Sequence, residues 1–161
     1  MSSDDDDCER APPVSRRVMR GFDPARLVDA RRTAGLSQAE LARRANVGAA
    51  TIRRWENGTA SPQVDLLARV VGELSLTIAD VVRVPMEERF PGDWRVLRGM
   101  TQPQLGARAG VGTAIVGSIE RGEITLSANV AEKLARTLDI SVEELQAAHH
   151  RARTRPAGTP A

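Results

Sequence analysis

The chain has 161 residues, room for one medium domain or two small ones, and its 22 Arg and one Lys against 21 acids leave a formal charge of +2. A single cysteine, Cys8, excludes an internal disulfide and offers no zinc-type spacing, which fits a reducing, cytoplasmic setting. No apolar run approaches the ~18 residues of a membrane span, no signal peptide is visible, and no nucleophile–base pair, phosphate loop or metal-ligand cluster is present, so neither an enzyme nor a cofactor is expected.

Residues 1–20 hold the acidic run Asp4 to Asp7, then Pro12-Pro13, then Arg16, Arg17 and Arg20, without a helical period. They are expected to form a disordered arm. The Asp run reads as a solvated tail or as a segment competing with a polyanion for a basic surface. The Arg cluster suits a groove-reaching arm.

A first domain is expected over residues 21–84. Asp23-Pro24 is an N-cap followed by Pro at the first helical position, and the helix it opens runs through Leu27, Val28 and Arg31 to Ala34, with Gly35 ending it. Ser37 and Glu40 form a capping box for a second helix to Ala45, which buries Leu41 and Ala42. Asn46-Val47-Gly48 makes a tight turn. A third helix over Ala49 to Glu56 places Ile52 and Trp55 on one face, and Asn57-Gly58 stops it. Ser61-Pro62 opens a fourth helix, with Leu66, Leu67, Val70, Val71 and Leu74 inward. Thr77 and Asp80 cap a short fifth, from Ile78 to about Val82.

The pattern then repeats. Thr101 to Gly122 aligns with Ser37 to Gly58 at an offset of 64 residues without a gap. Gln102 falls on Gln38, Leu105 on Leu41, Val111-Gly112 on Val47-Gly48 and Glu120 on Glu56. Downstream, Leu138, Ile140, Val142 and Leu145 fall on Leu74, Leu76, Ile78 and Val81. Repetition over this length marks two tandem copies. In the second, residues 85–150, Pro91-Gly92 is expected to cut the first helix to about Asp93–Arg98. Gly106 and Gly117 fall inside helices, at about 0.5–1 kcal/mol each relative to Ala. The last helix is expected to reach about His150, with His149-His150 a solvated helix end, and residues 151–161 to form a disordered basic tail.

Leu36-Ser37-Gln38-Ala39-Glu40-Leu41-Ala42, the Val47 turn, Ile52 and Trp55-Glu56-Asn57-Gly58 followed by Pro62 resemble the helix-turn-helix of phage-repressor-like (Cro/C1, or XRE) DNA-binding domains. The resemblance implies an all-α fold of two tandem five-helix, lambda-repressor-like domains with disordered termini. It implies a transcriptional regulator of double-stranded DNA, frequently a repressor. Ala49, Ala50 and Arg54 fall on the family's main base-reading positions, with Arg53 beside them. Thr51 and Asn57 fall where a phosphate is within reach, and Asn57 also suits a plain C-cap. Gln38 falls where a Gln meets a phosphate and braces the reading helix, and Gln102 repeats it. Arg31 with Glu56, and Arg95 with Glu120, fall on positions that pair internally in some members.

Chemistry agrees with this implication. Arg donates two hydrogen bonds to guanine O6 and N7, and Ala meets a thymine methyl. Residues 21–84 carry 9 Arg and 7 acids, whereas residues 85–148 carry 6 Arg and Lys133 against 9 acids. Phosphate neutralisation supplies most non-specific affinity, so the first domain is the better equipped. The general Arg preference suits such contacts but follows equally from genomic base composition. The second reading surface, Thr113, Ala114 and Ser118 with Gly112 and Gly117, is small and nearly uncharged. It suits close DNA approach or a protein contact. A homodimer or protein partner through this domain is therefore a second expectation, and an adapter or antitoxin-like protein the alternative function. The linking segment, about Arg83 to Gly92, spans at most ~35 Å when extended.

Overall fold

The computed structural model describes residues 18–160. The expectations for Asp4 to Asp7, Cys8, Arg16 and Arg17 lie outside the described residues. Within them the fold is helical, with no strand beyond one isolated antiparallel bridge.

The first domain comprises α1 (Pro24–Thr33), α2 (Gln38–Ala45), α3 (Ala49–Glu56), α4 (Val64–Glu73) and a 3-10 turn, Ile78–Asp80. Its core gathers Leu27, Leu41, Ile52, Trp55, Leu67, Val70 and Val81, one apolar stripe from each element. The capping devices read in the sequence are formed: Asp23 accepts from Ala25 N–H at 3.0 Å, and Ser37 and Glu40 cap reciprocally. Two boundaries differ from the sequence reading. Helix α4 starts at Val64, because Ser61 Oγ accepts from the Met19 N–H at 2.7 Å instead of capping a helix. The fifth helix is a single 3-10 turn, because the chain leaves it to pair with Phe22 through Val82.

The second domain comprises α5 (Pro91–Leu97), α6 (Gln102–Ala109), α7 (Thr113–Glu120), α8 (Ala128–Leu138) and α9 (Val142–Thr154) around Trp94, Leu105, Val116, Ile119, Leu134, Leu138 and Leu145. Pro91-Gly92 begins α5 rather than cutting it: Pro stands at the first helical position, and Asp93 accepts from the Phe90 N–H at 2.8 Å. The tail expected to be disordered from residue 151 is helical to Thr154. Arg151 Nε donates to Arg89 O at 2.9 Å, and Arg155 Nη1 donates to Arg121 O at 2.7 Å. His149 is not a solvated end. It is 7 % exposed, with Nε2 2.9 Å from Ile124 O, and burial pushes its pKa down despite that bond. His150 is exposed.

The two domains touch. Val96 and Leu97 of α5 pack on the first core, and Gly99 lies against Ala68 and Ile78. Arg20, expected in the disordered arm, pairs with the buried Asp93 and covers the Phe90 ring at 4.3 Å. Burial raises the Asp93 pKa, outweighing the Phe90 N–H bond and the Arg20 charge. The linker is likewise fastened, with Arg89 Nε donating to Val84 O at 3.0 Å and a 3-10 turn at Met86–Glu88. It holds the domains together rather than tethering them at a distance.

Candidate nucleic-acid interface

In the first domain the turn between α2 and α3 depends on Asn46, which closes α2 in the left-handed region at φ 54°, and on Gly48, the N-cap of α3. Burying Ile52 and Trp55 orients everything else on α3. Ala49, Ala50, Arg53 and Arg54 face solvent, and Thr51 is half-buried. Among the described residues the Arg53 and Arg54 side chains make no ion pair or hydrogen bond, nor do those of Arg43 and Arg44 at the end of α2, although the Arg54 carbonyl accepts from Thr59 and Ala60. Four cations thus stand without a direct ion pair on one helix-turn-helix, with the Glu40 carboxylate near Arg43 and Arg44.

Helix α3 is braced from behind. Glu56 accepts from Arg31 Nε at 2.6 Å, from Arg31 Nη2 at 3.0 Å and from Gln38 Nε2 at 2.6 Å. Arg31 also donates to Leu36 O at 2.9 Å. Burial disfavours the Glu56 carboxylate, but the Arg31 and Gln38 hydrogen bonds outweigh it and hold its pKa below the ordinary value. Gln38 therefore ties the start of α2 to the end of α3. Asn57 is the C-cap of α3, and its Oδ1 accepts from the Thr59 N–H at 3.0 Å. Its amide donor is directed to no described residue.

The second copy repeats the brace: Gln102 Nε2 donates to Glu120 Oε2 at 2.7 Å, and Arg95 pairs with Glu120 while donating to Met100 O. Its outer surface differs. Thr113 and Ala114 are exposed, Ser118 is half-buried, and Gly117 is buried. Arg121, in the place of Asn57, folds back over Gly117. Its Nη1 lies 3.0 Å from where a Gly117 Cβ would sit. It is also neutralised, since Nε donates to Glu123 Oε1 at 2.7 Å and Nη2 to Glu123 Oε2 at 3.0 Å. Ile115, in the place of Thr51, is 43 % exposed. Sequence reading missed this folded-back Arg and the exposed Ile. The available signal was the four-residue spacing of Gly117 and Arg121, with Glu123 two residues on.

The family comparison accords with this geometry. A helix-turn-helix family model of the Cro/C1 (XRE) type matches residues 27–81 and again residues 93–145. The chain belongs to the Cro/C1-type helix-turn-helix family. No curated protein and no solved structure gives a significant match. Both matched segments lie inside the two bundles, and each contains one complete helix-turn-helix. Helix-turn-helix domains of this type make the chain a DNA-binding regulator. Among the described residues no group of three or more His, Cys, Asp or Glu could hold a metal, and no helix is long and apolar enough to cross a membrane.

Proposed function

We propose that this helix-turn-helix protein is a sequence-specific regulator of transcription that represses by occupying double-stranded DNA, with the first domain as its main reader. The observation that carries the reading is the contrast between the two outer surfaces. Arg43, Arg44, Arg53 and Arg54 are exposed on the first and form no direct ion pair among the described residues. Arg121 is paired with Glu123 on the second. Arg53 and Arg54 compete for guanine contacts, each good bidentate contact discriminating by ~1–3 kcal/mol. Ala49 and Ala50 allow close approach and meet thymine methyls. Thr51, Gln38 and Asn57 sit where phosphates pass. Gln102, Thr113, Ala114 and Ser118 offer the second domain only short polar and apolar contacts.

The test is fluorescence anisotropy with a selected duplex and a random one, across a salt series. Wild type should show a steep salt slope and a large preference for the selected duplex. Arg53→Ala with Arg54→Ala should lose that preference while circular dichroism stays unchanged. A double mutant that binds as tightly and as selectively as wild type rejects the assignment.

A second reading concerns the second domain alone. Exposed Ile115 on the outer face of α7, whose one charged residue, Glu120, is buried against Arg95, favours a protein contact there, with a homodimer or adapter role. Ile115→Asp would then dissociate the complex by mass measurement without altering the base preference of a single chain.

A further inference from the structure

The second domain fills a groove that no described residue fills in the first. In the second domain the end of α9 lies between the segment before α5 and the end of α7. Arg151 donates to Arg89 O and Met86 O on one side. On the other side, Ala152 and Arg153 abut Gly122 so closely that a Cβ on this glycine, at φ 70°, would lie 2.8 Å from Ala152 C. Arg155 Nη1 caps the arrangement by donating to Arg121 O at the C-terminus of α7.

The 64-residue offset carries those positions onto the first domain. Arg121 falls on Asn57 and Gly122 on Gly58, whereas Arg89, which precedes α5, falls on Ala25 inside α1. There, however, the counterpart of α9 is the single turn Ile78–Asp80, after which the chain departs along Phe22. The equivalent place is an open groove of about 480 Å³ between α1 and the end of α3, with Pro24 and Val28 along it and Gly58 at its end. No described residue outside its chain neighbours lies within 4 Å of the position of a Gly58 Cβ, where Gly122 meets α9. Asn57 O, the counterpart of the carbonyl that Arg155 caps, accepts from no described residue. The lining includes three carboxylates, Asp23, Asp29 and Glu56, and no cation. Glu56 is engaged by Arg31, and Asp23 is near Arg26, whereas Asp29 is exposed and has no ion-pair partner among the described residues.

We propose that this groove docks a basic helical segment of a partner protein, its end seated against Gly58 and Asn57 O as the end of α9 is seated against Gly122 and Arg121 O. A small residue would abut Gly58, one Arg would cap Asn57 O, and another would meet Asp29. The occupant would lie at the C-terminal end of α3, beside the DNA-reading surface and not on it. Docking does not require the DNA reading to hold.

The probe is a synthetic peptide of this chain's residues 146–160, titrated into the full chain labelled for amide NMR. Saturable shifts at Val28, Asp29, Asn57 and Gly58 are expected. Asp29→Arg should weaken binding about tenfold or more, as reversal of a contacting charge does. A peptide with Arg151, Arg153 and Arg155 replaced by Gln should not bind. DNA affinity of Asp29→Arg, measured in parallel, should not fall, since the change adds positive charge near the duplex, and its loss would bear on the DNA reading alone. Four outcomes overturn the proposal. They are no shifts at millimolar peptide, shifts confined to Gly122 and Ala152, an Asp29→Arg variant that binds like wild type, and self-association of the chain that covers the groove by itself.

Discussion

Glu56 is the point where three helices of the first domain meet, and its removal should be costly. Glu56→Ala deletes the partner of Arg31, whose side chain is 11 % exposed, and of Gln38. Three hydrogen bonds disappear, leaving Arg31 only the Leu36 carbonyl. Breaking a buried ion pair from one side typically costs 3–5 kcal/mol, because the remaining charge stays desolvated without compensation. The partial exposure of Arg31 places the expected loss near the lower figure, about 3 kcal/mol, a large part of the ~5–15 kcal/mol that holds a typical domain. Arg31→Met with Glu56→Ala removes both charges, so the double variant should be more stable than the sum of the two single losses predicts. Urea denaturation followed by circular dichroism measures all three. If Glu56→Ala loses less than about 1 kcal/mol, or if the two losses simply add, the pair is not the brace described.

Other outcomes follow from the same geometry. Gly106→Ala, normally a gain of about 0.5–1 kcal/mol inside a helix, should instead destabilise the second domain by about 1–3 kcal/mol in thermal melts, since the new Cβ would lie 2.6 Å from Val111 O. Arg20→Ala removes the Asp93 ion pair and the cover on Phe90 but not the packing of Val96 and Leu97, so it should lower the melting temperature while the two domains still tumble together by NMR relaxation. His149 is held neutral by burial, so its folded pKa lies below the unfolded value near 6.5. The unfolded chain then binds a proton that the folded one refuses, and stability should fall as pH drops through about 6.5, with a slope of at most ~1.4 kcal/mol per pH unit from this group. Denaturation at a series of pH values should show that slope in wild type and not in His149→Asn.

Much of the fold was legible because local chemistry and global pattern agree. Ser37 with Glu40, Asp23-Pro24, and Ile52 with Trp55 each announce their role over three or four residues. The repeat was legible because both copies need the same brace, Arg31 with Glu56 and Arg95 with Glu120. What stayed hidden depends on partners distant in sequence. Arg20 has no local pattern, and its role appears only when Asp93, 73 residues away, is brought beside it. The end of α9 carries Arg and small residues typical of a tail, and becomes ordered because Arg89, Gly122 and Arg121 O receive it. Ser61 reads as a helix cap until Met19 claims its hydroxyl. At the interface, exposure of Arg53 and Arg54 follows from the burial of Ile52 and Trp55. The neutralisation of Arg121 needs the side-chain fold that only the structure displays.

The central claim is that α3 of the first domain, and not α7 of the second, reads the bases. Selection of bound duplexes from a random pool tests it most directly, run with wild type, with Arg53→Ala plus Arg54→Ala, and with Thr113→Ala plus Ser118→Ala. The account predicts one enriched motif, retained by the α7 variant and lost by the α3 variant. A motif that survives the α3 changes and disappears with the α7 changes would contradict it.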